Sequence, residues 1–124
     1  MNKKDKILVD VKTIFDDVVK YYGYSKYQNT TPFIEIEDSP YSDADDPNLI
    51  GEYCNLNNSL IVYWKNIKSK EQLIRTIVHE YKHYLQSPSW MTRYYNMGYN
   101  YSDHPYEVEA YNEEENWKLF KSKL

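Results

Sequence analysis

Residues 70–86 constrain the fold of this chain most, because they carry the start, the stop and the periodicity of one amphipathic helix. Ser69 is a suitable N-cap, and Gln72 follows three residues later, which is the spacing of a capping box. Pro88 cannot continue a helix and marks its end. Apolar residues recur at helical spacing, at Leu73, Ile74, Ile77, Val78, Tyr81 and Leu85. We therefore predict a helix that docks on a core through one face.

The other regular segments predict a helix, three strands and a last helix. Residues 5–22 have apolar residues at helical spacing, and residues 33–37 alternate apolar and polar side chains as a half-buried strand does. Residues 49–56 and 59–64 are two further strand candidates, separated by two asparagines that suit a tight turn. Pro105 is expected to open a helix that runs to about residue 121.

Two stretches carry no regular pattern. Residues 38–48 are acidic with two prolines and predict a surface loop. Residues 87–103 are expected to wrap around the surface, with at most a short helical turn. Their aromatic and methionine side chains would either line a substrate groove or form a satellite cluster over the core; they are Trp90, Met91, Tyr94, Tyr95 and Met97.

The order of these elements predicts an α+β fold in one domain over residues 1–124. We expect an N-terminal helix, a small and mostly antiparallel three-stranded sheet, the helix of residues 70–86 and a C-terminal helix. The strand near residues 60–64 is expected to lie at an edge, where it could bind an extended peptide.

Composition argues against several classes of function. The net charge is −4 and Lys and Arg form no dense cluster, so we expect no nucleic-acid partner. No stretch approaches the ~18 apolar residues of a membrane span, and the apolar run after the charged start is too short for a signal peptide. We therefore expect a cytoplasmic monomer. The excess of Asn, Lys, Tyr and Ile is typical of AT-rich genomes, such as those of phages and low-GC bacteria.

The predicted central helix carries the sequence His79-Glu80-Tyr81-Lys82-His83. Its two histidines are four residues apart, so both imidazoles point to the same side of the helix. Two such nitrogens can bind one Zn²⁺, and the intervening Glu80 can accept a proton from a metal-bound water. The spacing therefore predicts a zinc site with Glu80 as a general base.

A catalytic zinc needs a third protein ligand and one position left open for water. The segment from His104 to Tyr111 contains the candidates Glu107, Glu109 and His104. Adjacent positions differ by ~100° around a helix, so the two glutamates are not expected to bind the same ion. Glu113, Glu114 and Glu115 are expected to be a solvated helix face.

The motif of His79 to His83, followed by Glu107-Val108-Glu109-Ala110, resembles the gluzincins, which are zincin metallopeptidases with a glutamate ligand. The resemblance covers roughly residues 50–115 and is closest to compact single-domain members. It implies a zincin-like minimal fold, Zn²⁺ as cofactor, a peptide or protein substrate, and Glu107 as the third ligand. The residue four positions after this glutamate is usually Asn or Asp, which steadies a zinc histidine, but here it is Tyr111.

The remaining roles stay open between alternatives. Tyr111 and Tyr106 are candidates for the donor that stabilises an oxyanion. A zinc amidase or related hydrolase could use the same motif, and a deformylase-type site would need a cysteine ligand, for which Cys54 is the only candidate. A catalytically inactive zincin-like binding domain is the third hypothesis.

Overall fold

The described residues form four α-helices and a small mixed sheet in an α+β arrangement. The structure is a computed structural model that describes residues 2–40, 46–100 and 103–121. The helices are α1 (Lys3–Tyr22), α2 (Lys70–Leu85), α3 (Pro88–Asn96) and α4 (Pro105–Glu113). The strands are β1 (Phe33–Glu37), β2 (Gly51–Cys54) and β3 (Ser59–Tyr63), and 3-10 turns cover Trp64–Asn66 and Glu114–Leu119.

The core lies between α1, α2 and the sheet. The helix α1 contributes one buried stripe, and α2 contributes the apolar face predicted from its periodicity. The central strand β3 adds Leu60 and Val62, both fully buried. The fully buried side chains of the two helices are Val11, Ile14, Val18, Leu73, Ile74, Ile77, Val78, Tyr81 and Tyr84.

The helix α2 begins as its capping signals predict. The Ser69 side chain accepts a hydrogen bond from the Gln72 N–H at 3.1 Å, and the Gln72 side chain accepts one from the Lys68 N–H at 2.7 Å. These contacts satisfy N–H groups that have no partner within the helix. The capped start and the buried face together hold α2 rigidly.

The sheet has the order β1-β3-β2. The strand β3 pairs with β2 in antiparallel fashion and with β1 in parallel fashion. The predicted mostly antiparallel sheet is therefore wrong, since one of the two pairings is parallel. The segment between β1 and β2 is long enough for β2 to take the far edge of the sheet. The β2–β3 hairpin then places β3 between the other two strands, where it runs parallel to β1.

The central position of β3 contradicts the prediction that this strand binds an extended peptide at a free edge. Residues 60–64 were predicted to offer a free edge, but β3 is paired on both sides. The edge strand next to α2 is β2. Asn58 closes the hairpin with a φ of 50°, a left-handed conformation that Asn tolerates.

Residues 88–96 form a helix where the sequence predicted an irregular stretch. Ser87 caps it, Pro88 occupies its first turn, and apolar residues follow at helical spacing, at Trp90, Met91, Tyr94 and Tyr95. No residue of α3 is buried, and none belongs to the core cluster. The rings of Trp90 and Tyr94 contact each other, Tyr106 and His104, so these aromatic side chains form a cluster that is separate from the core cluster and packs against α4.

The last helix is shorter than predicted. Regular α-helix ends at Glu113, and a 3-10 segment continues to Leu119. The predicted surface loop of residues 38–48 is described only in part, because residues 41–45 lie outside the described ranges. Within the described part of the chain, no helix combines the length and apolar character needed to cross a membrane.

Candidate metal centre

The helix α2 places His79 and His83 side by side, as their spacing predicts. Their ring centroids lie 4.9 Å apart, and each residue is only 6% exposed. The opposite face of α2 is fixed in the core by residues such as Ile77 and Val78. The two imidazoles are therefore held in place by the packing of the helix that carries them.

Glu107 meets both histidines from the first turn of α4. One oxygen, Oε1, contacts Nε2 of His79, and the other, Oε2, lies 3.2 Å from Nε2 of His83. Glu107 is only 2% exposed. A carboxylate and two imidazole nitrogens therefore converge at one buried point, although their sequence positions are far apart.

The outer nitrogens of the two rings have partners of their own. Nδ1 of His79 lies 2.7 Å from Oε2 of Glu114, and Nδ1 of His83 lies 2.7 Å from Oε1 of Gln86. Both partners accept hydrogen bonds, so each Nδ1 must carry a proton. Each Nε2 is thereby left to face Glu107, and partners on the outer nitrogen are typical of histidines that bind metals.

The convergence of these groups favours a bound positive charge. Burial lowers the pKa of His79, but hydrogen bonds to Glu107 and Glu114 outweigh this effect and raise it to about 10. Burial raises the pKa of Glu107, but hydrogen bonds from His79 and His83 overcome this and lower it to about 2. At neutral pH Glu107 is therefore ionised, and His79 carries a proton on both ring nitrogens. Two nitrogens and a carboxylate oxygen are also a donor set suited to Zn²⁺.

Glu80 lies beside this cluster and has a different environment. Its Oε2 is 4.0 Å from Nε2 of His79, and its side chain is 13% exposed. One donor atom each from His79, Glu80 and His83 lie within 4.8 Å of one another. Burial raises the pKa of Glu80 to about 7, against the opposing charges of the two histidines. Its carboxylate can therefore accept or release a proton near neutral pH.

The two alternative ligands have other contacts. Oε1 of Glu109 lies 3.3 Å from Nζ of Lys82 and accepts a hydrogen bond from Gln86. His104 is the N-cap of α4, where its Nδ1 accepts from the N–H of Tyr106 and its Nε2 donates to the carbonyl of Met91. Both residues are thus engaged away from the two imidazoles, whereas Glu107 contacts both.

Tyr106 and Tyr111 flank the same cluster. The ring of Tyr106 stacks on His83 at 4.3 Å, and the ring of Tyr111 meets His79 edge-on at 4.7 Å. Burial, together with the nearby carboxylates of Glu80 and Glu107, raises the pKa of both tyrosines. Their hydroxyls therefore keep their protons at neutral pH and can act as hydrogen-bond donors.

A cleft of about 450 Å³ opens over these residues. One wall is β2, which comes close to α2 at Gly51. A Cβ added at Gly51 would lie 2.6 Å from Cγ2 of Thr76 and 3.0 Å from the carbonyl oxygen of Ile61. Only a residue without a side chain lets β2 approach so closely. The cleft is lined by Gly51, Tyr53, His79, Glu80, Tyr106 and Tyr111, among others.

Sequence reasoning missed Glu114 and Gln86. The predicted solvated face is wrong for Glu114, which contacts His79, and for Glu113, which accepts a hydrogen bond from Tyr22. Glu114 stands seven residues after Glu107, which is about two helical turns. This spacing was a signal in the sequence that both glutamates lie on the same face of a helix. Gln86 gave a weaker signal, since it follows His83 by three residues at the helix end.

Comparisons with known proteins give no relative. No protein-family model matches the chain, and neither a curated protein nor a solved structure matches it.

Proposed function

We propose that this chain is a zinc-dependent peptidase with a zincin-like site. The observation that carries the proposal is the convergence of both Nε2 atoms and the Glu107 carboxylate, with Glu80 adjacent and an open cleft above. Each of these groups corresponds to a part needed for metal-assisted hydrolysis. The resemblance of the motifs to the gluzincins points to the same activity.

His79, His83 and Glu107 would hold the metal. Two imidazoles and one carboxylate form a catalytic zinc ligand set that leaves a fourth position open. Zinc bound there supplies Lewis-acid polarisation of a carbonyl and lowers the pKa of water. Glu114 and Gln86 fix the ring orientations that this binding requires.

Glu80 would act as the proton carrier. It follows His79 directly on a rigid helix, so its carboxylate keeps a fixed position relative to the imidazoles. A pKa of about 7 suits a group that takes a proton from water and returns it to a leaving amine. A buried carboxylate with no such task would be costly to keep beside Glu107.

The strand β2 supports a peptide as the substrate. It lines the cleft with Gly51 and Tyr53, and no strand within the described residues pairs with its outer edge. An extended peptide can add to such an edge through main-chain hydrogen bonds. This arrangement would stretch the peptide backbone beside Glu80.

A donor for the developing oxyanion is available in Tyr106 or Tyr111. Both rings pack against the metal-binding imidazoles, and both hydroxyls remain protonated. Loss of one oxyanion donor typically lowers kcat by ~10²–10³. The single variants Tyr106→Phe and Tyr111→Phe therefore identify the donor by which one reduces kcat while zinc is retained.

The rival hydrolase with a cysteine ligand receives less support. Cys54 ends β2 and does not line the cleft that contains the histidines. A catalytically inactive binding domain would have no need of Glu80 as a base. This last alternative predicts no hydrolysis, with zinc absent or merely structural.

The test combines zinc content with hydrolysis of a peptide library. The purified chain, dialysed against metal-free buffer, should retain roughly one equivalent of zinc. Glu107→Gln should lose zinc, while Glu109→Gln, a matched change on the same helix, should keep it. Glu80→Gln should keep zinc and lose hydrolysis. Zinc-loaded protein that cleaves no peptide, or a Glu80→Gln variant with full activity, would refute the proposal.

A further inference from the structure

A second cavity lies beside the candidate metal centre, between α3 and the start of α4. Its volume is about 280 Å³. Glu107 closes it on the side of the metal centre, and three of its residues, Met91, Tyr106 and Glu107, also line the cleft. The rest of the lining consists of Thr92, Tyr95, Tyr99 and His104. The cavity therefore borders the point where a bound peptide would be cut.

Two polar side chains of this lining, Thr92 and His104, already use their polar atoms within the protein. The hydroxyl of Thr92 donates to the carbonyl of Pro88 at 3.2 Å. Both ring nitrogens of His104 are used, one by the N–H of Tyr106 and one by the carbonyl of Met91, each at 3.0 Å. The tyrosine hydroxyls are the only other polar side-chain groups apart from the carboxylate of Glu107.

That carboxylate is engaged as well. Its two oxygens contact the imidazoles of His79 and His83. No Lys or Arg lies among the described residues that line the cavity. An acidic side chain placed there would lose its hydration without gaining a partner of opposite charge, and a basic one would have to compete with the two imidazoles for Glu107.

The helix α3 forms the outer wall of the cavity and has no part in the core. None of its residues is buried, and its packing partner is α4. Tyr95 is 74% exposed and Tyr99, just beyond the helix, is 42% exposed. Aromatic side chains exposed at the mouth of a cavity mark a surface that a ligand can cover.

We infer that this cavity is the specificity pocket of the enzyme and takes one large apolar side chain, such as phenylalanine, leucine or methionine, next to the scissile bond. It rests on the proposed peptidase function. The volume of 280 Å³ lies below the ~300–1,000 Å³ of complete small-molecule sites, so it suits a single side chain.

The test measures binding separately from hydrolysis. The probes are N-acetyl-phenylalanine amide, N-acetyl-lysine amide and N-acetyl-glycine amide, added to the full chain with its methionine methyl groups observed by NMR. The phenylalanine derivative should shift the Met91 methyl resonance saturably, and the other two should not. An equal response to the lysine or glycine derivative would overturn the inference.

Variants of α3 locate the binding. Thr92→Trp should fill the cavity and weaken binding of the phenylalanine derivative by about tenfold or more, a difference that apolar contacts can supply. Asn96→Trp, an equally exposed position on the same helix, should leave binding unchanged. Tyr95→Ser removes part of the wall without touching the core and should also weaken binding. Unchanged binding in both cavity variants would refute the inference.

Hydrolysis gives the second readout. Thr92→Trp should lower kcat/KM about tenfold more for peptides with phenylalanine at the preferred position than for peptides with glycine there. Equal losses for both peptides would overturn the inference. Selective binding of the phenylalanine derivative by a chain that cleaves no peptide would uphold the apolar selectivity of the cavity and refute the peptidase proposal alone.

Discussion

Glu114 holds the ring of His79 from outside the candidate metal centre. Its Oε2 lies 2.7 Å from Nδ1, although the two residues are 35 positions apart in the chain. The residue comes from the 3-10 segment that follows α4, so one continuous stretch of chain supplies both Glu107 and Glu114. Glu107 faces the inner nitrogen of His79 and Glu114 faces the outer one.

This relationship predicts that Glu114→Ala weakens zinc binding. The imidazole of His79 would lose the acceptor that fixes its tautomer and orientation, and such losses typically cost ~10–100-fold in metal affinity. Competition with a chromophoric chelator measures the change. The control is Glu115→Ala. The carboxylate of Glu115 is next in sequence, but it is 70% exposed and contacts Arg75. Equal zinc affinity of the two variants would contradict the role of Glu114.

Gln86 should matter for both zinc affinity and folding stability. Its Oε1 accepts from His83, and its Nε2 donates to the carbonyl of Tyr106 and to Glu109, so it joins α2 to α4. Gln86→Leu should lower the free energy of unfolding by about 1–3 kcal/mol, because buried polar partners lose their hydrogen bonds. Chemical denaturation of the metal-free chain measures this change.

A second substitution separates the two tasks of Gln86. Gln86→Glu keeps an acceptor for His83 but removes the donor to Tyr106 and places a charge beside Glu109. Zinc affinity should therefore fall less in Gln86→Glu than in Gln86→Leu. If Gln86→Leu binds zinc as tightly as the wild type, Gln86 does not orient His83.

The parts of this fold that the sequence predicted are those encoded locally. Helix α2 has its cap at Ser69 and its apolar face within one segment, so its position follows from that segment alone. Strand β1 alternates Ile34 and Ile36 with exposed neighbours, as a half-buried strand does. The direction of its partner is not encoded in this alternation, and so the parallel pairing with β3 was missed.

In the candidate site, too, the locally encoded features were predicted and those that depend on long-range packing were not. The placement of His79 and His83 on one face is a consequence of helical spacing within α2. The choice of Glu107 among three candidates depends on how α4 packs, which the sequence of α4 does not fix. The helix α3 was missed because it is only nine residues long and buries none of them, so the helical spacing of Trp90, Met91 and Tyr94 is too short a pattern to identify it.

The close approach at Gly51 yields a prediction about the cleft. Gly51→Ala should push β2 away from α2, because the new methyl would lie 2.6 Å from Cγ2 of Thr76. Overpacking of this kind typically costs about 1–3 kcal/mol. Thr76→Ser removes the clashing methyl and keeps a hydroxyl for the bond to Gln72, so the double variant should recover part of the loss. A Gly51→Ala variant as stable as the wild type would mean that β2 does not approach α2 this closely.

The buried carboxylate of Glu80 predicts a pH-dependent stability in the metal-free chain. Its pKa is raised from 4.5 to about 7 on folding, mainly by burial. A raised pKa means that its contribution to stability is fully present below about pH 4.5 and is lost as the pH rises through about 7. The free-energy equivalent of this change is about 3 kcal/mol.

Glu80→Gln removes a carboxyl group that becomes charged in a buried position as the pH rises. The metal-free variant should match the wild type near pH 4 and become more stable than it above pH 7, by an amount approaching about 3 kcal/mol. Thermal unfolding over this pH range measures the difference, with Glu37→Gln on the exposed side of β1 as the control. Bound zinc would favour the charged carboxylate and should reduce the advantage of the variant. A stability difference that does not change with pH would mean that Glu80 ionises as freely in the folded chain as in the unfolded one. Glu80 would then lack the raised pKa that suits a general base.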